Sequence, residues 1–307
     1  MVNPIGGAIT KLFAQEITLT RIKRILSTVA IPLLLNLPQQ LRLIQTTKSP
    51  KFKPLLETNK IFFYKHLSVY ISKKINARRR IDLINLHYSF VNQHLADDFI
   101  SRIVEKSIEI WKIEVLEGTF TIELAYPISI NRVYQYDNEG EISLRIKFND
   151  EVVHTGGFTI SKCKNKMTSD PFENSIIVGR IQGAKNNPEL IRCATKALHD
   201  ISPANVALCA YKGIADCIQT EFILGTSNEL RVVEKDEVFF DYNKHWIDAG
   251  AVLNNDGLYL LPVNQQDKPI ELITQKHRSR TIKKRNFKKG IRDGVCAGFR
   301  QMCMVKN

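Results

Sequence analysis

At 307 residues and 44 % hydrophobic, the chain has enough apolar mass to bury a core, which excludes a disordered protein and suggests one large or two modest domains. Its net charge of +13 is uneven: residues 1–80 hold 15 Lys/Arg against 2 acids, residues 276–307 hold 11 against 1, and the stretch between them is acidic by 10 charges. Two basic ends on an acidic body attract a polyanion, whether anionic lipid, nucleic acid or an acidic protein.

Residues 1 to about 110 read as a basic, mostly helical region. Ile25–Leu37 is an apolar stretch of 13 residues interrupted by Ser27, Thr28, Pro32 and Asn36, short of the roughly 20 that a spanning helix needs. With Arg21, Lys23 and Arg24 ahead of it, two readings stand: an interfacial helix, or a buried helix of an amino-terminal bundle. Leu34 to Ile44 is apolar and broken near Pro38, and loops follow at Lys48–Lys51 and Pro54. Helical spacing then predicts a helix from Phe62 through Leu67, Tyr70 and Ile71, another over Ile81 to Phe90 behind Arg78, Arg79 and Arg80, and a continuation through Phe99, Ile103 and Ile108. His87 and Tyr88 fall inside this region, as a buried hydrogen-bonded pair or as a ligand or catalytic histidine.

From Lys112 the period becomes two. Trp111–Leu116, Phe120–Leu124 and Ile142–Phe148 alternate apolar with polar, Asn149-Asp150 makes a hairpin turn, and Val153–Ser161 pairs next, giving an antiparallel meander. Ser175–Val178 is a buried strand ending in Gly179-Arg180-Ile181-Gln182-Gly183, where two glycines let the backbone bend or approach a ligand closely. Helical segments follow at Leu190–Leu198 and Ala204–Ile218, then strands at Glu221–Gly225 and Leu230–Val233, a short helix over Asp241–Ala249, and a strand at Gly257–Leu261 stopped by Pro262. The last stretch, 276–307, is a basic helix or tail, with eight Lys/Arg and no acid between Lys276 and Lys289.

Cys163, Cys193, Cys209, Cys217, Cys296 and Cys303 form no CxxC pair and no cluster with histidine. They read as reduced thiols of a cytoplasmic protein, and no metal is expected. The amino terminus lacks the basic region, apolar core and cleavage site of a signal peptide.

Four motifs in one order carry a resemblance: Ile177-Val178-Gly179-Arg180-Ile181-Gln182-Gly183, Ala194-Thr195-Lys196-Ala197-Leu198-His199, Ile223-Leu224-Gly225-Thr226-Ser227-Asn228, and Asp241-Tyr242 with Trp246. Over roughly residues 60–300 the chain resembles the bacterial VirK/YbjX family. It departs from that pattern at Asp200 and Ser202, where the family has glycine and arginine. The resemblance implies a role in envelope integrity, virulence and survival of cationic antimicrobial peptides in Gram-negative bacteria, and it names no reaction.

The fold class expected is α+β, with a helical amino-terminal region and a mixed, mainly antiparallel sheet flanked by helices. Over residues 111–275 the order of elements is similar to an acyl-CoA N-acyltransferase fold of the GNAT type. That likeness implies a loop for the cofactor pyrophosphate, because free backbone N–H groups beside a helix N-terminus bind phosphate oxygens. Arg180-x-x-Gly183 matches the first half of the loop pattern, and Lys185 breaks the second half. The candidate cofactor-binding residues for acyl-CoA are Gly179, Arg180, Gln182, Gly183 and Lys196; a strand-to-helix turn with no ligand is the other reading. The candidate catalytic residues are His199 as a general base, Asn228 where such a sheet admits substrate, and Tyr242 as a proton donor to the thiolate. Each has a bland counterpart: a histidine closing a helix, a turn asparagine and a core aromatic. Two classes of function remain: an acyltransferase-like enzyme acting on an envelope protein or lipid acceptor, and a non-catalytic factor on the inner-membrane surface, its basic ends on anionic lipid and nucleic acid the less favoured partner.

Overall fold

The computed structural model describes residues 31–59, 61–127, 138–162, 172, 174–184, 187–232 and 240–305. Within these the alternating segments form the expected meander: β1 (Ile108–Val115), β2 (Gly118–Ala125), β3 (Ile142–Phe148), β4 (Glu151–Lys162) and β5 (Asn174–Gly183) pair antiparallel in sequence order. Two helices, α6 (Pro188–Ala197) and α7 (Pro203–Ile218), then carry the chain over to β6 (Phe222–Thr226), which lies parallel to β5. After α8 (Tyr242–Asp248), strands β7 (Val252–Leu253) and β8 (Leu258–Pro262) complete an eight-stranded sheet of order β1-β2-β3-β4-β5-β6-β8-β7. The fold is α+β, with a mainly antiparallel mixed sheet flanked by helices.

The two faces of the sheet are covered by different parts of the chain. On β4 the Phe158 ring meets Tyr211 of α7 edge-on at 5.5 Å, while the hydroxyl of the next residue, Thr159, lies 2.8 Å from that of Tyr70. Neighbouring residues of a strand point to opposite faces, so α7 and the amino-terminal helices are on opposite sides. The latter are α1 (Ile31–Leu35), α2 (Leu37–Thr46), α3 (Lys53–Thr58), α4 (Ala77–His94) and α5 (Phe99–Glu105). Beside α7 runs α9 (Gln275–Cys303), whose second half buries Ile291, Val295, Phe299 and Cys303 at spacings of four. Gly294 and Gly298 admit this helix to β1: a Cβ on either would run into Trp111 or the Ile110 carbonyl oxygen.

An ion pair ties the amino-terminal layer to the sheet. Lys65 Nζ lies 3.0 Å from Glu141 Oε1, with both side chains at most 2 % exposed. Lys65 also donates to the Gly140 carbonyl, and Tyr88 Oη donates to Glu141 Oε2 at 2.6 Å. His87 Nδ1 accepts from Ile160 N, so His87 and Tyr88 are the buried, hydrogen-bonded pair.

Several local expectations give way to tertiary contacts. Phe62–Leu67 is a 3-10 turn, and Tyr70 and Ile71 leave the helical path: Ile71 has φ 60 and its N–H bonds to Asn138 O. Ile108 opens β1 instead of continuing a helix. Leu230 and Arg231 close a turn by donating to Ser227 O, so residues 230–232 are not a strand, and Val233 lies outside the described residues. Residues 25–30 and Cys163 also lie outside, and the five described cysteines are free. Among the described residues no helix is long and apolar enough to cross a membrane.

Candidate functional site

The parallel pairing of β5 with β6 ends at Val178 opposite Gly225, yet β5 runs on to Gly183 against β4. The glycine-rich stretch 179–183 is thus strand where a loop was expected. Gly179 is the extra residue of a bulge, because Gly157 pairs with Arg180 and Phe158 with Val178. The segment entering β3 crosses this point. A Cβ on Gly179 would collide with the Glu139 carbonyl oxygen, one on Gly157 would come within 2.9 Å of it, and one on Gly140 would strike Phe158 N. Glycine is required here so that backbone can lie on backbone.

Beyond Gly225 the edge of β5 has no strand partner among the described residues, and a side chain completes it. Ile181 N donates to Tyr242 Oη at 2.9 Å, and Tyr242 is fully buried. Burial pushes its phenol well above the ordinary tyrosine range, with Glu139 adding to the effect. Asn228 sets this placement: its side-chain oxygen accepts from Tyr242 N at 2.9 Å, and its amide donates to Asp241 Oδ1 at 2.8 Å, the N-cap of α8. Trp246, one turn on, covers Gly225 and donates to Thr226 O, and Thr226 Oγ1 donates to Gly179 O. Arg180 Nε pairs with the buried Glu139 at 2.6 Å, and the Arg231 guanidinium sits 5.8 Å from the Tyr242 ring centre.

Two histidines join this cluster. His154 on β4 pairs in register with Gly183, and His154 and His245 both meet the Phe240 ring, at 6.5 and 5.4 Å. Burial, then repulsion from His245, lowers His154 to about 3; burial lowers His245 to about 4. Both are neutral at pH 7, and His154 Nε2 is buried with no hydrogen-bond partner among the described residues. Burial disfavours a proton on either ring, so they stand as neutral imidazoles, His154 with an open Nε2 acceptor.

The candidates named from sequence therefore divide. Gly179, Arg180, Tyr242 and Asn228 converge on the notch beside β6, with Gln182 and Gly183 on the same strand extension. Lys196 and His199 do not reach it. Both are exposed at the far end of α6, a ten-residue helix spanning about 15 Å, and the His199 ring packs edge-on to Phe287 of α9. The main-chain donors expected to cradle pyrophosphate lie in a strand paired with β4, and Ala184 N bonds to Val153 O. Lys185 lies outside the described residues. Sequence reading missed Glu139, Arg231, His154 and His245; the one available signal was an imidazole amid the apolar alternation of β4. Among the described residues no group of three or more His, Cys, Asp or Glu could hold a metal.

Comparison with known proteins gives relatives over about seven-tenths of the chain. Uncharacterized protein YbjX of Escherichia coli K12 is 25 % identical over 242 residues, 75 % of this chain and 70 % of that one. An uncharacterized protein of Haemophilus influenzae is 22 % identical over 218 residues, 69 % of each chain. Among solved structures, a cAMP-binding acyltransferase from Mycobacterium smegmatis aligns with TM-score 0.31 and 10 % identity over 64 % of this chain, and a mutant of it aligns with TM-score 0.30. This chain spans less than three-fifths of the length of those two structures. The family described as "Protein of unknown function (DUF535)" matches residues 27–291, and this chain belongs to it as a YbjX-like member, in line with the motifs of its sequence.

Proposed function

We propose that this chain is an acyltransferase-like protein that receives the extended, amide-bearing arm of an acyl-CoA in the notch where β5 outruns β6. Its acceptor is then an envelope component reached from the cytoplasmic side of a Gram-negative bacterium. The observation that carries the reading is the Ile181 N–H. It is a strand-edge donor beyond the end of β6, and its partner is a phenol that a side-chain rotation can withdraw, leaving a main-chain donor for an extended chain. Acyl-CoA would supply an activated thioester. Ile181 N would orient an amide of the arm, Arg180 and Arg231 would set the local potential, and His154 and His245 are neutral imidazoles within the same cluster. The fit is partial, since residues 179–183 supply a donor for the arm and no cradle for the pyrophosphate. The envelope role rests on the VirK/YbjX resemblance.

Thermal unfolding with CoA and a series of acyl-CoAs tests this, using the parent, Gly183→Glu and Tyr242→Phe. Ligand at a hundred times its Kd stabilises a folded protein by about 2.7 kcal/mol. Tyr242→Phe strands a buried N–H, so it should lose about 1–3 kcal/mol without ligand and gain more than the parent with it. The absence of a shift for every acyl-CoA in both parent and Tyr242→Phe would refute the reading. The separation of Lys196 and His199 from Tyr242 supports a second reading, in which the same scaffold is a non-catalytic binding factor.

A further inference from the structure

Helices α1 and α2 are nearly continuous, since Asn36 N bonds to Pro32 O and Gln40 N to Asn36 O across the break. Their inner positions, Asn36, Gln40, Leu43 and Thr47, are buried, and Asn85 of α4 donates to Gln39 O. That inward face already packs α2 on the layer beneath it. Leu34, Leu37, Leu41 and Ile44, at spacings of three, four and three, form an apolar line on the outside, at 71, 48, 56 and 37 % exposure. Leu35 is also exposed, at 69 %, and Tyr64 is exposed on the 3-10 turn that Gln40 contacts through Phe63 O. A helix already packed on its inward face that still presents an apolar line outward has a second partner.

Charge identifies that partner. Arg42 and Lys48 are exposed on and just after α2, and Arg78 lies against Gln39. Glu57 is the single acid between residues 31 and 80. An apolar line with a cationic, acid-poor surround matches an anionic lipid interface, where leucine enters the acyl boundary and Lys/Arg meet headgroups. The basic half of α9 is a poorer match. It lies with α7 on the opposite face of the sheet, and Arg280, Lys284 and Arg285 are already drawn to Asp200 and Asp267.

We propose that the outward line Leu34-Leu37-Leu41-Ile44, with Arg42, Lys48 and Arg78 beside it, docks the protein on an anionic bilayer. Flotation of the full chain with vesicles of phosphatidylglycerol and phosphatidylcholine, against phosphatidylcholine alone, tests it. Binding should need the anionic lipid and weaken with salt. Arg42→Gln with Lys48→Gln should weaken it about thirtyfold, at about 1 kcal/mol per cation. Leu37→Glu with Leu41→Glu should abolish it while circular dichroism and the melting temperature stay at parent values; Leu37→Ala with Leu41→Ala should weaken it in the same direction if the glutamates disturb the fold. Binding unchanged in both leucine variants would overturn the proposal. So would light scattering that shows a parent dimer made monomeric by Leu37→Glu with Leu41→Glu, because the line would then be covered by a second copy.

Discussion

Replacing Lys65 with methionine keeps most of the side-chain length and removes the cation that faces Glu141. The carboxylate then loses its 3.0 Å ion pair at about 1 % exposure and keeps the Tyr88 hydroxyl as a partner. Breaking a buried pair from one side costs about 3–5 kcal/mol, because the remaining charge has neither water nor counterion. The pH dependence identifies the cause. In the parent, burial pushes the Glu141 carboxyl up, but Lys65, His87, Tyr88 and Tyr70 outweigh it and hold the group below the usual carboxylate range. That stability is complete above the unfolded carboxylate value and lost as pH falls through the folded one. Without Lys65, burial dominates and the folded carboxyl titrates above its unfolded value, so the deficit of the variant grows as pH rises and shrinks as it falls. Urea unfolding followed by tryptophan fluorescence from pH 5 to 8 should show a loss of about 3–5 kcal/mol at pH 8, smaller at pH 5. Adding Glu141→Gln should restore part of it. A loss under about 1 kcal/mol, or one independent of pH, would refute the argument.

Two further outcomes follow from buried groups and close contacts. His87 is lowered to about 4 and His154 to about 3, in both chiefly by burial, so the unfolded chain binds their protons first and stability falls as pH drops from about 6.5 toward those values. Each accounts for about 3 kcal/mol by pH 4, and His154→Gln should flatten the stability curve over that interval while leaving its slope above pH 7 unchanged. On α9, a Cβ at Gly290 meets nothing within 4 Å, whereas one at Gly298 meets the Ile110 carbonyl. Gly290→Ala should therefore stabilise by about 0.5–1 kcal/mol through helix propensity and Gly298→Ala should destabilise by about 1–3 kcal/mol, both read from chemical denaturation.

The meander, both crossover helices and the basic terminal helix were legible because each depends on local periodicity: alternation in Phe120–Leu124 and Ile142–Phe148, and helical spacing in Ala204–Ile218. The notch was half legible. Gly179, Arg180, Asn228 and Tyr242 were singled out in sequence, but that Gly179–Gly183 is strand depends on β4, which supplies a ladder through His154 that no local pattern encodes. The same non-locality hid Glu139, which reaches Arg180 from 41 positions away, and His245, which the packing of α8 brings to the Phe240 ring that His154 also meets. His199 looked catalytic by its position after a helix. Its φ of 55 and its packing on Phe287 are products of a turn and a distant helix.

The way α9 seats on β1 limits what the sheet can join. β1 is one margin of the sheet, interrupted by an irregularity at Ile110, and Gly298 sits on that residue's carbonyl group. The other margin, β7, is two residues long. Recruiting a further strand from another molecule needs a straight row of open donors and acceptors, which the first margin lacks and the second is too short to offer. Intermolecular zippering of these sheets through their margins is thereby discouraged.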